Sequence, residues 1–139
     1  PKNEEPLSRN TPPKDIRGIR VLVVEDNEIN AKILKSFLSK WQMQIKAAIT
    51  GVHAVELVKY HKFDLILMDL EMPEMNGYTA LKVIRERNID TPVIAFTATQ
   101  LENLDSLITE AGFTDYIVKP FKPDDLKKKI EMYCERKID

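Results

Sequence analysis

Four apolar runs in this sequence each end on a residue able to do chemistry. Val21-Leu22-Val23-Val24 runs into Glu25-Asp26, Leu65-Ile66-Leu67-Met68 into Asp69, Val93-Ile94-Ala95-Phe96 into Thr97, and Phe113–Val118 into Lys119. Asp26 and Asp69 offer hard oxygen ligands, which Mg²⁺ prefers. That ion keeps several waters and shares coordination with phosphates, so few protein ligands suffice, and Glu25 can hold one of the waters. An ionised Asp69 is also a carboxylate nucleophile. Phosphoryl transfer asks a protein mainly for alignment and for neutralisation of charge on three equatorial oxygens. A cation, the Lys119 ammonium and the Thr97 hydroxyl can meet one oxygen each. Taken singly, a strand-end carboxylate is often a helix N-cap, Thr97 an ordinary strand residue and Lys119 an ordinary surface lysine. Core packing does not require all four to arrive together.

The elements that must deliver them follow from periodicity. The spacing predicts strands over 20–25, 44–49, 64–69, 92–97 and 113–118. Continuous apolar runs of this kind suit strands covered on both faces. Between them, apolar residues recur at helical spacing. The first helix carries Ile29, Ile33, Leu34, Phe37, Leu38 and Trp41, after turn or capping residues Asp26 and Asn27. Thr50 can cap a second with Val52, Val55 and Val58, and a third carries Ala80, Leu81 and Ile84. A fourth, with Leu101, Leu104, Leu107 and Ile108, ends near Gly112. Pro123 can start the last, whose stripe is Leu126, Ile130 and Tyr133. Five strands alternating with five helices imply an α/β fold, a doubly wound parallel sheet with helices on both faces and right-handed crossovers. Ligands of such sheets bind outside the carboxyl ends of the strands, the edge to which Asp26, Asp69, Thr97 and Lys119 are delivered.

Composition bounds the alternatives. The 139 residues fit one domain, and 43% hydrophobic content allows a core without staples. Residues 1–17, with Pro1, Pro6, Pro12 and Pro13 among polar residues, read as a flexible linker or tail, and 18–139 as the folded domain. A net charge of −1 argues against a broad nucleic-acid footprint, and Lys127-Lys128-Lys129 reads as a solvated helix face. A single cysteine, Cys134, precludes an internal disulfide and sits at core spacing from Leu126 and Ile130. No apolar run reaches the roughly 18 to 20 residues of a membrane helix. His53 and His61 read as surface residues, and Met68, Met72 and Met75 lie beside hard oxygens unsuited to a soft-metal site. A flavin or nucleotide binder would want a Gly-rich loop after the first strand, and none is there.

The segments Val21-Leu22-Val23-Val24-Glu25-Asp26-Asn27, Leu67-Met68-Asp69-Leu70-Glu71-Met72-Pro73-Glu74-Met75-Asn76-Gly77, Ala95-Phe96-Thr97-Ala98 and Tyr116-Ile117-Val118-Lys119-Pro120-Phe121 together resemble the receiver domain of response regulators (CheY-like). The receivers of hybrid sensor histidine kinases are the nearest match in pattern. The resemblance covers the chain from about residue 19 onward. It implies a flavodoxin-like (βα)5 sheet of strand order 2-1-3-4-5. It also implies that Asp69 is the phosphoacceptor, with Glu25 and Asp26 the acidic pair around Mg²⁺, or Mn²⁺ in its place, Glu25 acting through water. The Glu71 backbone carbonyl becomes a further metal ligand, Thr97 the switch hydroxyl, Lys119 the phosphate-pairing lysine, Tyr116 an aromatic that turns on phosphorylation, and Lys119–Pro120 a cis peptide. Glu71 and Thr99 match positions that tune access of the hydrolytic water.

The function so implied is phosphorelay signal transduction. A phosphohistidine of a histidine kinase or histidine phosphotransfer domain donates to Asp69, switching the face of the fourth helix, fifth strand and fifth helix. The expected setting is the C-terminal receiver of a hybrid histidine kinase, with a stand-alone response regulator as the alternative. The isolated domain is expected to be no enzyme beyond its own phosphorylation and dephosphorylation, and to be cytoplasmic, monomeric and without nucleic-acid or membrane contact of its own. A degenerate, purely interacting receiver would usually lack Asp69 or Lys119. An aspartate-nucleophile phosphatase would want an Asp-x-Asp loop where this chain has Asp69-Leu70-Glu71.

Overall fold

The structure, a computed structural model, describes residues 15–70, 77–87, 89–98 and 103–134. Among these, five strands alternate with five helices: β1 Arg20–Val24, α1 Glu28–Lys40, β2 Gln44–Ala48, α2 Gly51–Tyr60, β3 Leu65–Asp69, α3 Gly77–Glu86, β4 Val93–Thr97, α4 Leu104–Ala111, β5 Asp115–Val118 and α5 Pro123–Tyr133. All strand pairs are parallel, in the order β2-β1-β3-β4-β5. The fold is the doubly wound, flavodoxin-like sheet expected from the alternation.

Every residue of β3 and β4 is buried, as is β1 from Val21 onward. The pleat sends alternate side chains to opposite faces. Leu22, Val24, Ile66 and Met68 enter one core with α2, α3 and α4. Val21, Val23, Leu65 and Leu67 enter the other with α1 and α5. Cys134 belongs to the second core and its thiol lies 3.6 Å from the Asp64 carbonyl.

Local chemistry sets the ends. Asn27 Oδ1 accepts the Asn30 N–H at 2.9 Å and Thr50 Oγ1 the His53 N–H at 3.0 Å, each capping a helix that leaves the carboxyl edge. Gly112 closes α4 at φ 103°, a left-handed value that suits glycine. The Gly112 and Phe113 amides turn back to the Thr109 and Ile108 carbonyls. That turn is why β5 begins at Asp115 rather than at 113.

Four expectations shift. Ile29 and Ile33, expected in the α1 core stripe, are exposed at 70% and 48%. At roughly 100° per residue they fall on the far side of the helix from Ala31, Leu34 and Leu38, which are buried. Val52 and Leu107 are exposed in the same way. Ile16, on the linker side of the boundary drawn at residue 18, is buried and packs with the second core. Lys129, in the basic run, is not simply solvated but ion-paired with Asp115 at 2.9 Å. The leader up to residue 14 and Leu101 lie outside the described residues.

Arg85 ties the far end of α3 to two loops. Its guanidinium donates to the Ile89 and Thr91 carbonyls, both at 2.8 Å, and to the Gly112 carbonyl at 3.1 and 3.2 Å. Burial lowers its pKa. Replacing it by alanine leaves three carbonyls without this donor, so Arg85→Ala should lower unfolding free energy by about 2 kcal/mol. Arg85→Lys should recover little, because an ammonium lacks the planar fork that spans both loops. Urea denaturation of the three proteins measures both effects.

Candidate functional site

The register of the sheet brings the polar residues to one edge. Val24 pairs with Ala48 and Met68, so Glu25 and Asp69 each stand one residue beyond a matched pair. Asp69 pairs with Phe96 and Thr97 with Val118, which sets Lys119 next in line. The Lys119 N–H donates to the Thr97 carbonyl at 2.8 Å, and the Lys119–Pro120 peptide is cis. Phe121 stacks on Phe96 at 5.3 Å between ring centroids. The turn is thereby fixed against the end of β4.

Glu25 and Asp69 are only 4% exposed and Thr97 only 2%. Lys119 Nζ lies 3.2 Å from Asp69 Oδ2 and 3.7 Å from Glu25 Oε1. Glu25 Oε2 also accepts the Asn27 N–H at 3.2 Å, which links the acid to the N-cap of α1. Asp26 is exposed at the mouth. Glu25, Asp26 and Asp69 each offer a carboxylate oxygen, all within 4.8 Å of one another. Three hard anionic donors at that spacing fit a small divalent cation. Glu71, whose carbonyl the resemblance makes a further ligand, lies outside the described residues, as do Met72–Asn76 and Thr99.

Gly77, at the start of α3, packs closely on the end of β3. A β-carbon there would stand 2.7 Å from the Asp69 carbonyl oxygen and 3.0 Å from Leu70 Cα. The start of α3 therefore rests directly on the backbone that carries Asp69, a role the sequence did not reveal. Asp105 was also missed: it accepts a hydrogen bond from Tyr116, a tertiary partnership with no sequence signal. His53 and His61 are exposed, as expected.

Burial raises the Glu25 carboxyl to about 7, with the Asn27 N–H opposing, Asp69 adding to the rise and Lys119 opposing it. Between the ordinary carboxylate range and about 7 the folded protein holds this proton more tightly than the unfolded chain. Stability contributed by Glu25 is thus full at low pH and is lost as pH rises toward 7. In EDTA, urea unfolding should show a higher midpoint at pH 5 than at pH 7.5. Glu25→Gln should flatten that difference, and Mg²⁺ should restore stability to the parent at pH 7.5.

Comparison with known proteins gives the same picture. The response regulator receiver domain family matches residues 21–131. The chain is 41% identical to the autoinducer 2 sensor kinase/phosphatase LuxQ of Vibrio vulnificus over 126 residues, 88% of this chain and 15% of that protein. It thus spans a small part of that relative's length. The receiver domain of sensor histidine kinase PA1611 from Pseudomonas aeruginosa, with magnesium in its active-site cleft, superposes with TM-score 0.77 at 31% identity, covering 84% of this chain and 97% of that one. The receiver domain of Saccharomyces cerevisiae Ssk1, in complex with the histidine phosphotransfer protein Ypd1, is in a structure that superposes with TM-score 0.79 at 35% identity, covering 85% and 90%. With its strand order, its edge of acids and lysine and a family match across most of its length, this chain belongs to the response regulator receiver domains of two-component phosphorelays.

Proposed function

We propose that Asp69 is the phosphoacceptor of this domain and that a phosphohistidine on a histidine kinase or phosphotransfer domain is the donor. The observation that carries this reading is the buried Asp69 carboxylate held 3.2 Å from the Lys119 ammonium and clustered with Glu25 and Asp26. An Asp69 oxygen attacks phosphorus, the P–N bond to the donor imidazole breaks, and that ring leaves with the electron pair. The product is an acyl phosphate, which water later hydrolyses to restore the carboxylate. Lys119 passes from pairing the carboxylate to pairing a phosphoryl oxygen, and the Thr97 hydroxyl meets another. Asp26 and Asp69 would hold Mg²⁺ directly, Glu25 would hold one of its waters, and the ion would neutralise charge on the transferring group.

Phosphorylation adds charge at a site whose lysine is already committed. The reading includes Thr97 moving toward the phosphoryl group and Tyr116 turning inward, a shift between two states of the face formed by α4, β5 and α5. The parent is proposed to be a hybrid histidine kinase with this receiver in the cytoplasm, supported by the likeness to sensor-kinase receivers. Exposed Ile29 follows the N-cap of α1, and exposed Ile49 follows the carbonyl that binds the Glu25 amide. Both stand at the reacting edge and suit a docking protein donor.

With Mg²⁺ and acetyl phosphate, intact-mass analysis should show one added phosphoryl group, absent in Asp69→Asn. Labelling that survives this change rejects the assignment. Asp26→Asn should weaken Mg²⁺ binding tenfold or more, about 1.4 kcal/mol. Ile29→Asp should slow transfer from a phosphotransfer protein while leaving labelling by acetyl phosphate unaltered; slowing with both donors would place Ile29 in the chemistry instead.

A further inference from the structure

In the α4, β5 and α5 region, one side chain is held between three elements. Tyr116 of β5 is half-buried, and its hydroxyl donates to Asp105 Oδ1 of α4 at 2.5 Å. Lys129 Nζ of α5 lies 5.8 Å from the centroid of the Tyr116 ring. Lys129 is itself fixed by Asp115 Oδ1 at 2.9 Å, and Asp115 Oδ2 accepts the Tyr133 hydroxyl at 2.7 Å. Burial raises the Asp115 carboxyl, but the bonds from Tyr133 and Lys129 outweigh it and the net shift is downward. The carboxylate therefore stays charged and anchors Lys129. Asp105, Tyr116 and Lys129 line a surface cleft of about 630 Å³, which gives the phenol an outward seat.

We propose that Asp105 is a positioning residue for the phosphoryl site: it latches Tyr116 in its outward seat, so that the site closes on a phosphoryl group only as the latch opens. This rests on the proposed inward turn of Tyr116. A hydroxyl bonded to a carboxylate makes a stronger bond than one between neutral groups. That bond exists only in the outward state, so it weights the equilibrium against closure. A ligand that needs the closed state then binds with an apparent affinity reduced by the fraction of molecules already closed. The Lys129 ammonium over the ring favours the same seat. Asp105 also lies in the first turn of α4, where a negative charge favours the helix. That helix effect does not depend on the Tyr116 hydroxyl, which makes the two roles separable.

The test is a double-mutant cycle read by beryllofluoride, a phosphoryl mimic, in the presence of Mg²⁺. Removing the latch should tighten apparent beryllofluoride binding on the order of fivefold for Asp105→Ala in the Tyr116 background. In the Tyr116→Phe background the same substitution should leave it unchanged. The Tyr116 ring signals of metal-free Asp105→Ala should lie closer to those of beryllofluoride-bound parent protein than do those of the metal-free parent. An equal effect in both backgrounds, or none in the Tyr116 background, overturns the latch. A parent protein that binds beryllofluoride with no change at Tyr116 overturns the inward turn and the latch with it. A parent whose Tyr116 signals move while Asp105→Ala matches it in affinity overturns the latch alone and leaves the phosphoacceptor reading intact.

Discussion

Two carboxylates almost wholly out of water, Glu25 and Asp69, share the Lys119 ammonium, with Asp26 adding a third negative charge at the mouth. Three acids against one lysine leave the edge with excess negative charge in a poorly solvated place. Buried charge of this kind is costly unless fully compensated. Burial, with Asp69 adding, raises the Glu25 carboxyl to about 7, so a proton there eases this repulsion, as a divalent cation bound to the acids would. Much of the surrounding structure is arranged to keep these groups together despite their repulsion.

What holds them is the backbone. Parallel pairing on both sides of β3 fixes Asp69 between β1 and β4, and strands buried along their whole length leave the chain no room to retreat. The Lys119 amide on the Thr97 carbonyl and the seat of Gly77 on the Asp69 backbone bring in two further constraints from β5 and α3. The two apolar cores supply the stability that offsets the strained electrostatics of the edge. Under the proposed function, this rigidity would let a change at Asp69 reach Thr97, because packed elements move between discrete arrangements rather than deforming smoothly.

The α4–β5–α5 face is organised differently. Its side chains meet through polar contacts near the surface, Tyr116 with Asp105 and Asp115 with Lys129 and Tyr133. The Asp115 carboxylate pushes the Tyr133 phenol up to about 12, so that bond keeps its proton throughout the ordinary pH range. Contacts of this kind are individually modest and partly solvated, which is compatible with the proposed exchange of arrangements at this face.

The alternation of buried apolar runs with helical periodicity determined the α/β fold by itself, since a parallel sheet needs both faces covered and a crossover between strands. The residue types at the strand ends likewise pointed to the acids, the hydroxyl and the lysine, because period and polarity are local properties of the chain. The strand order came from family resemblance and not from periodicity. Which part of the α1 stripe faces the core was decided only in three dimensions: Leu34 and Leu38 are buried together with Ala31, while Ile29 and Ile33 are left exposed. The burial of Ile16, the contact of Gly77 with the Asp69 backbone and the bond between Asp105 and Tyr116 were equally invisible in the sequence. Each joins residues that no local rule relates, and only the packing of one element against another brings them within reach.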